Sequence, residues 1–115
     1  DLKKSTAGVH FSKVVQTLGL ELTNIYEFAD GGHAAMSALS VATGEGLLGC
    51  TQVTEIRSTV GVQLAGELPD SLALRTEYMA ACTTSSAYPR VALQFVDWLC
   101  GLDTVNDRLH AGFEE

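Results

Sequence analysis

The chain has 115 residues, of which 46% are hydrophobic and 18% charged, so its composition is typical of one globular domain and excludes a disordered chain. Seven Lys and Arg stand against 14 Asp and Glu, which gives a formal net charge of -7. So few basic side chains cannot form the patch that nucleic acid or an anionic membrane surface needs, and we expect neither a nucleic-acid partner nor membrane insertion.

Two helices are predicted in the first half of the chain. The first covers residues 9–18, because apolar side chains recur on one face of that segment, and Gly19 ends it. The second covers residues 33–43, which begin after the pair Gly31-Gly32 and end at Gly44. The apolar face of the second helix consists mostly of alanine, so we expect it to lie close against a sheet.

Apolar runs between the helices are predicted to be β-strands. Residues 25–29 form a short β-prone run, and the runs at 47–51, 62–64 and 74–83 are the main strand candidates. A short helical turn is predicted over residues 53–57, directly after the second of these runs.

Two further helices are predicted near the C-terminus. Ser85 and Ser86 are good N-caps and Pro89 suits a first helical turn. The helix that follows has an apolar stripe formed by Ala92, Phe95, Val96, Leu99 and Leu102. A last helix is predicted over residues 103–110, with Asp103 or Thr104 as its cap and Gly112 beyond its end.

Strands that alternate with helices predict an α/β fold, a three-layer-like sheet flanked by helices. We expect a single domain over residues 1–115. Within it, residues 1–72 are predicted to form the part that binds ligand, and residues 73–115 a returning strand and the C-terminal helices.

Residues 31–56 carry the strongest functional pattern. In an α/β fold, ligands gather at the carboxyl ends of strands and at the amino ends of helices, where N–H groups without partners attract anions. This segment has a helix that begins after a glycine pair and a predicted strand that ends in Thr51-Gln52. It therefore predicts half of a small-ligand site. His33 either faces an anion there or is an exposed turn residue.

Catalytic and metal-binding patterns are missing from the sequence. It has no GxSxG, P-loop or GxGxxG motif and no Cys/His spacing typical of zinc. Cys50, Cys82 and Cys100 are expected to be buried free thiols, and burial should raise the pKa of Cys50 and make it inert. We expect no enzyme, no metal and no cofactor, with a small Cys/His enzyme as a distant third alternative.

Four segments in a consistent order carry a resemblance to a known family. They are GVHFSKVVQTLGL, GGHAAMSALSVATGEGLLGCTQVTEI, VQLAGELP and the C-terminal HAGFEE. Together they resemble the C-terminal half of the molybdate-binding-type solute receptors of ABC transporters, which are class II periplasmic binding proteins. The resemblance covers essentially the whole chain.

The resemblance implies two α/β lobes joined by a hinge, with an oxyanion held in the cleft by neutral hydrogen-bond donors. Onto this chain it places the ligand-binding positions Ser5, Thr6, Gly32, His33 and Gln52. Two features depart from the family. The N-terminal lobe, which supplies half of the cleft, is missing from the sequence, and Gln52 stands where similar receptors have a tyrosine.

The sequence therefore predicts a non-catalytic domain that recognises a small, molybdate-like oxyanion for ABC-type uptake. The alternative is a truncated relative that acts as an oligomeric structural or interaction protein without a ligand. In either case we expect a homo-oligomer, or a partner chain that replaces the missing lobe. The expected location is the periplasm if a leader was removed, and otherwise the cytoplasm.

Overall fold

A computed structural model describes residues 2–21, 23, 25–28, 31–44 and 46–114. These residues form five α-helices and one 3-10 helix. The chain divides into two compact units, Asp1–Leu74 and Arg75–Glu115, which are described separately below.

Helix α1 opens the first unit and covers Thr6–Thr17. Ser5 is its N-cap, and the Ser5 hydroxyl oxygen accepts a hydrogen bond from the Gly8 N–H at 3.1 Å. This bond supplies a partner for one of the N–H groups that a helix leaves open at its amino end. Val14 and Val15 are buried, as the predicted apolar stripe requires.

Helices α2 and α3 form the second part of this unit. Helix α2 covers Gly32–Val41 and buries Met36, and α3 covers Val53–Ser58. Gly31 precedes α2 with φ of 89°, a conformation that residues with a β-carbon rarely adopt. The two helices contact each other, which places the start of α3 beside α2.

The second unit contains two α-helices joined by a short 3-10 helix. Helix α4 covers Pro89–Cys100, the 3-10 helix covers Leu102–Thr104, and α5 covers Val105–Ala111 before Gly112. Pro89 occupies the first turn of α4, where its missing N–H costs no hydrogen bond.

A buried polar cluster holds this helical turn together. The Thr104 hydroxyl lies 2.8 Å from the Trp98 carbonyl oxygen and 3.0 Å from that of Leu99. Arg108 donates to the Leu99 and Gly101 carbonyl oxygens at 2.7 and 2.9 Å, and to the Thr104 hydroxyl at 2.7 Å. Carbonyl groups at the end of α4 therefore find their partners within this unit.

The segment before α4 contacts the end of the chain at two points. The rings of Tyr78 and Phe113 meet edge to face, with centroids 5.3 Å apart. Arg75 donates to the Glu114 carboxylate at 2.9 Å, between two exposed side chains. Exposed ion pairs of this kind contribute little to stability, so the aromatic contact dominates.

The prediction of an α/β fold is wrong: the described residues are helical and include no strand and no sheet. The apolar runs at 47–51, 62–64 and 74–83 lie outside every helix, and no ladder of backbone hydrogen bonds joins them. An apolar run becomes a strand only when a neighbouring strand completes its hydrogen bonds. The composition of a run does not show whether such a neighbouring strand is present, so the strand predictions were wrong.

The helix predictions agree with the structure better than the strand predictions do. Helices α1 to α5 occur where they were expected, with ends that differ by a few residues. The predicted caps Ser85 and Ser86 are wrong, because Tyr88 is the N-cap of α4 and the Ser86 hydroxyl accepts from the Tyr88 N–H at 3.2 Å. The β-prone run at 25–29 is not a strand over 25–28, and its last residue lies outside the described residues.

Candidate functional site

The amino end of α2 is the place where polar groups of the first unit converge. Gly32 is the first residue of this helix, and a β-carbon placed on it would overlap the Thr51 hydroxyl and the Glu55 carboxylate. A β-carbon would force these side chains to move, so glycine allows their close approach to the backbone. The site lies between the start of α2 and the start of α3.

The Glu55 carboxylate is the central group of this site. It accepts a short hydrogen bond from the Thr51 hydroxyl. Glu55 is the third residue of α3, and a glutamate at this position can reach back toward the residues before its helix. Here it lies beside Gly32, so α3 delivers a negative charge to the amino end of α2.

The electrostatics of this arrangement are favourable. Peptide dipoles leave partial positive charge at the amino end of a helix, and a carboxylate there contributes about 0.3–1 kcal/mol when it is exposed to solvent. Glu55 and Thr51 are both partly buried, which reduces screening by water. The chain thus places its own anionic group where the sequence predicts an external anion.

The predicted site residues are distributed over three helix starts. Gly32 begins α2 with the exposed His33 after it, and half-buried Gln52 is the N-cap of α3. Ser5 caps α1 and Thr6 is exposed at its first position. The structure brings Gly32 together with Thr51 and Glu55, and Gln52 lies next to Thr51 in the chain. The Ser5 hydroxyl accepts a hydrogen bond from the Gly8 N–H of its own helix.

Sequence reasoning missed Thr51 and Glu55 as members of the site. No capping-box signal pointed to them, because that pattern has a serine or threonine three residues before the glutamate, whereas Gln52 holds this position and Thr51 lies four residues before Glu55. The packing of α3 on α2 brings the Glu55 carboxylate to a second helix, and no local sequence pattern contains that packing.

Cys50 precedes this cluster and does not have the environment of a nucleophile. Burial of its thiol raises the pKa, as expected from the sequence, although the residue as a whole is exposed. The expectation of buried thiols is wrong for Cys50 and Cys100, which are exposed, whereas Cys82 is half-buried; all three are free. A raised pKa leaves less thiolate at neutral pH, and the thiolate is the reactive form.

Neither a metal site nor a membrane span is found in the described part of the chain. No group of three or more His, Cys, Asp or Glu side chains there is arranged to hold a metal ion. Within the same residues, every helix is too short or too polar to cross a bilayer.

A cleft of about 310 Å³ with a lining of mixed polarity lies in the same unit. Its apolar lining includes side chains from α2, α3 and the segments that follow each of them: Met36, Leu39, Leu47, Ile56, Val62 and Leu64. Glycine backbone and Gln63 also line it, so the cleft presents polar groups beside these apolar side chains. Because Ile56 follows Glu55, helix α3 borders both the cleft and the polar site.

Comparison with known proteins gives one limited similarity. No family model matches the chain, and no solved structure does. Over 63 residues the chain is 32% identical to an aconitate isomerase from Pseudomonas sp. The match covers 55% of this chain but only 24% of that protein, so the chain spans about a quarter of its length. The matched protein is an enzyme by name, which points away from the expectation of a non-catalytic chain.

Proposed function

We propose that this chain provides one side of a binding site for a small oxyanion, in the manner of a solute receptor for ABC-type uptake. The amino end of α2 is the position that receives the anion. The observation that carries the proposal is the Glu55 carboxylate beside Gly32, because it is a chemical stand-in for such a ligand.

The chemistry of the position supports this choice. A carboxylate and an inorganic oxyanion both spread negative charge over several oxygens, and both are favoured at a helix amino end. The Thr51 hydroxyl is a neutral donor that already bonds one such oxygen. An external anion would replace Glu55 in this contact. Gln52 follows Thr51 in the chain, and the exposed His33 follows Gly32.

Two ligand sources share this chemistry. An inorganic oxyanion such as molybdate follows from the sequence resemblance, and an organic carboxylate follows from the similarity to an aconitate isomerase. The cleft beside α3 has a lining of mixed polarity and does not distinguish the two.

A thermal-shift screen tests the proposal directly. Molybdate, tungstate, sulfate, phosphate and trans-aconitate are compared with chloride at equal ionic strength. An anion present at a hundredfold its Kd stabilises the folded chain by about 2.7 kcal/mol, which raises the melting temperature by roughly 10 °C for a domain of this size. If every anion gives the same melting curve as chloride, the proposal is overturned.

A second candidate is isomerisation of aconitate or a similar unsaturated tricarboxylate, and the sequence similarity is the observation that favours it. In that case Glu55 is the side chain best placed to exchange a proton with a bound acid. Incubation of the chain with trans-aconitate, followed by chromatographic separation of the cis and trans isomers, tests this candidate. Conversion that Glu55→Gln abolishes and Glu67→Gln preserves supports it, and no conversion above the protein-free rate excludes it for this chain.

A further inference from the structure

Helix α4 and the residues next to it carry an apolar stripe on the surface of the second unit. The stripe consists of five large side chains that recur at alternating intervals of three and four residues: Tyr88, Val91, Phe95, Trp98 and Leu102. This spacing is the one with which paired helices contact each other. Within α4 it places Val91, Phe95 and Trp98 in a single row, and Tyr88 and Leu102 flank the two ends of the helix.

All five residues are exposed, between 53% and 91%. The rings of Phe95 and Trp98 contact each other at a centroid distance of 5.8 Å, so the centre of the stripe is a continuous aromatic surface. One aromatic side chain has roughly 150–250 Å² of surface, and the stripe therefore exposes on the order of 500 Å² of apolar area. The largest apolar patch of a typical monomer covers about 300–600 Å² and is often functional, and the stripe falls in this range.

The stripe is separate from the face with which α4 packs in its own unit. Ala92, Val96 and Leu99 are half-buried and lie on a neighbouring face of the helix. On the other flank of the stripe is a polar row formed by Arg90, Gln94 and Asp97. A partner that covers the stripe meets this row at its edge.

We infer that the stripe is a self-association surface, on which α4 of a second copy packs antiparallel. In this pairing Val91 faces Phe95 of the second copy, and Tyr88 faces its Trp98. Because the positions are exchanged by the two-fold axis, each contact occurs twice. The same register brings Arg90 of each copy beside Asp97 of the other.

The charges favour a second copy of the chain as the partner and an antiparallel direction of the two helices. Each copy carries a net charge of -7, so association needs local opposite charges to offset the repulsion. Arg90 and Asp97 have opposite charge at the two ends of one polar row, which makes the row complementary to itself when it is reversed. In a parallel pair the polar row would instead lie beside the opposite flank of the stripe, where Ala92, Val96 and Leu99 offer no charge.

The area is also of the right order for a dimer. A specific interface buries about 800 Å² per partner, and the stripe supplies more than half of that. The polar row and the stems of its side chains contribute to the remainder. We expect a dimer that dissociates on dilution, not an obligate one.

Light scattering coupled to size-exclusion chromatography, over a dilution series of the full chain, tests the inference. The expected mass is twice 12.2 kDa at high concentration and 12.2 kDa on dilution. Trp98→Ser should raise the dissociation constant at least tenfold, and the control Tyr26→Ser, an exposed tyrosine in the other unit, should leave it unchanged. A monomer at every concentration overturns the inference, as does an unchanged dimer in Trp98→Ser.

Charge reversal provides a test that does not depend on the fold of the tryptophan variant. Arg90→Glu and Asp97→Arg should each weaken the dimer about tenfold, and the double variant should restore it to within about threefold of the original. If the double variant stays as weak as the single ones, the antiparallel pairing is wrong. Circular dichroism of each variant confirms that its helices are retained.

Discussion

The amino end of α2 is occupied by side chains of its own unit, whereas the apolar stripe of α4 is exposed. At α2 the chain itself supplies a hydroxyl and a carboxylate, and it keeps a glycine so that both can approach the backbone. At α4 five large apolar side chains remain exposed to solvent. In the first region a carboxylate of the chain itself occupies a helix amino end. In the second, the described residues of the same unit leave an apolar surface uncovered.

The largest expected effect concerns the core beneath α2. Met36 is the largest fully buried side chain, and Met36→Ala should lower the free energy of unfolding by about 2–5 kcal/mol, because it leaves a cavity. Met79→Ala is the matched control, because Met79 is 89% exposed and its truncation should change stability by less than about 0.5 kcal/mol. Urea unfolding of both variants measures the difference. Equal losses would mean that α2 does not cover the core of its unit.

The next largest effect on stability is expected from a substitution at Gly32. A methyl group there would overlap the Thr51 hydroxyl and the Glu55 carboxylate, so Gly32→Ala should cost about 1–3 kcal/mol despite the better helix propensity of alanine. Gly66→Ala is the control, because nothing lies within 4 Å of a β-carbon at Gly66. Its effect should be small or slightly stabilising. If Gly32→Ala is the more stable variant, the carboxylate does not lie beside α2.

The buried cluster at the end of α4 should respond less strongly. Thr104→Val preserves the shape of the side chain and removes the hydroxyl that contacts the carbonyl groups of α4 and the Arg108 guanidinium. The expected loss is about 1–2 kcal/mol, since Arg108 retains its two carbonyl partners. Thr76→Val, at an exposed position of the same unit, is the control. Equal stabilities of the two variants in urea would contradict the structural role of Thr104.

Helix positions could be predicted from the sequence, and the overall fold could not. The structure confirms two local predictions: Val14 and Val15, from the predicted apolar stripe of α1, are buried, and Pro89 lies in the first turn of α4. Strands depend on partners distant in the chain, and the apolar run over residues 74–83 contains no information about whether one is present. The predicted sheet and its layers were therefore wrong, because length and composition do not determine how distant segments of the chain pair.

The candidate site divides in the same way. The glycine pair before α2 and the short helical turn after Gln52 are visible in the sequence as local patterns. That Glu55 lies beside Gly32 is a consequence of the packing of α3 on α2, which no local pattern encodes. Ser5 was expected to bind ligand, and in the structure its hydroxyl caps α1.

The smallest expected effect concerns the Cys50 thiol. Burial raises its pKa, so at pH 8 a smaller fraction is thiolate in the folded chain than in the unfolded chain, and iodoacetamide should modify it more slowly in native buffer than in urea. As the pH rises, the unfolded chain ionises first, which lowers the stability of the folded chain above the unfolded pKa. Peptide mass spectrometry against pH measures the rate midpoint. A native midpoint at or below the unfolded one would contradict this effect.

The most direct test of the central claim, that the amino end of α2 is an anion position occupied by Glu55, is calorimetric titration of the Glu55→Gln variant. Glutamine keeps the size of the side chain and removes the competing charge. The variant should bind the preferred anion about tenfold more tightly than the original chain, while Glu67→Gln, which alters an exposed carboxylate, should bind it unchanged. Binding by Glu55→Gln that is no tighter than that of the original chain would contradict the claim.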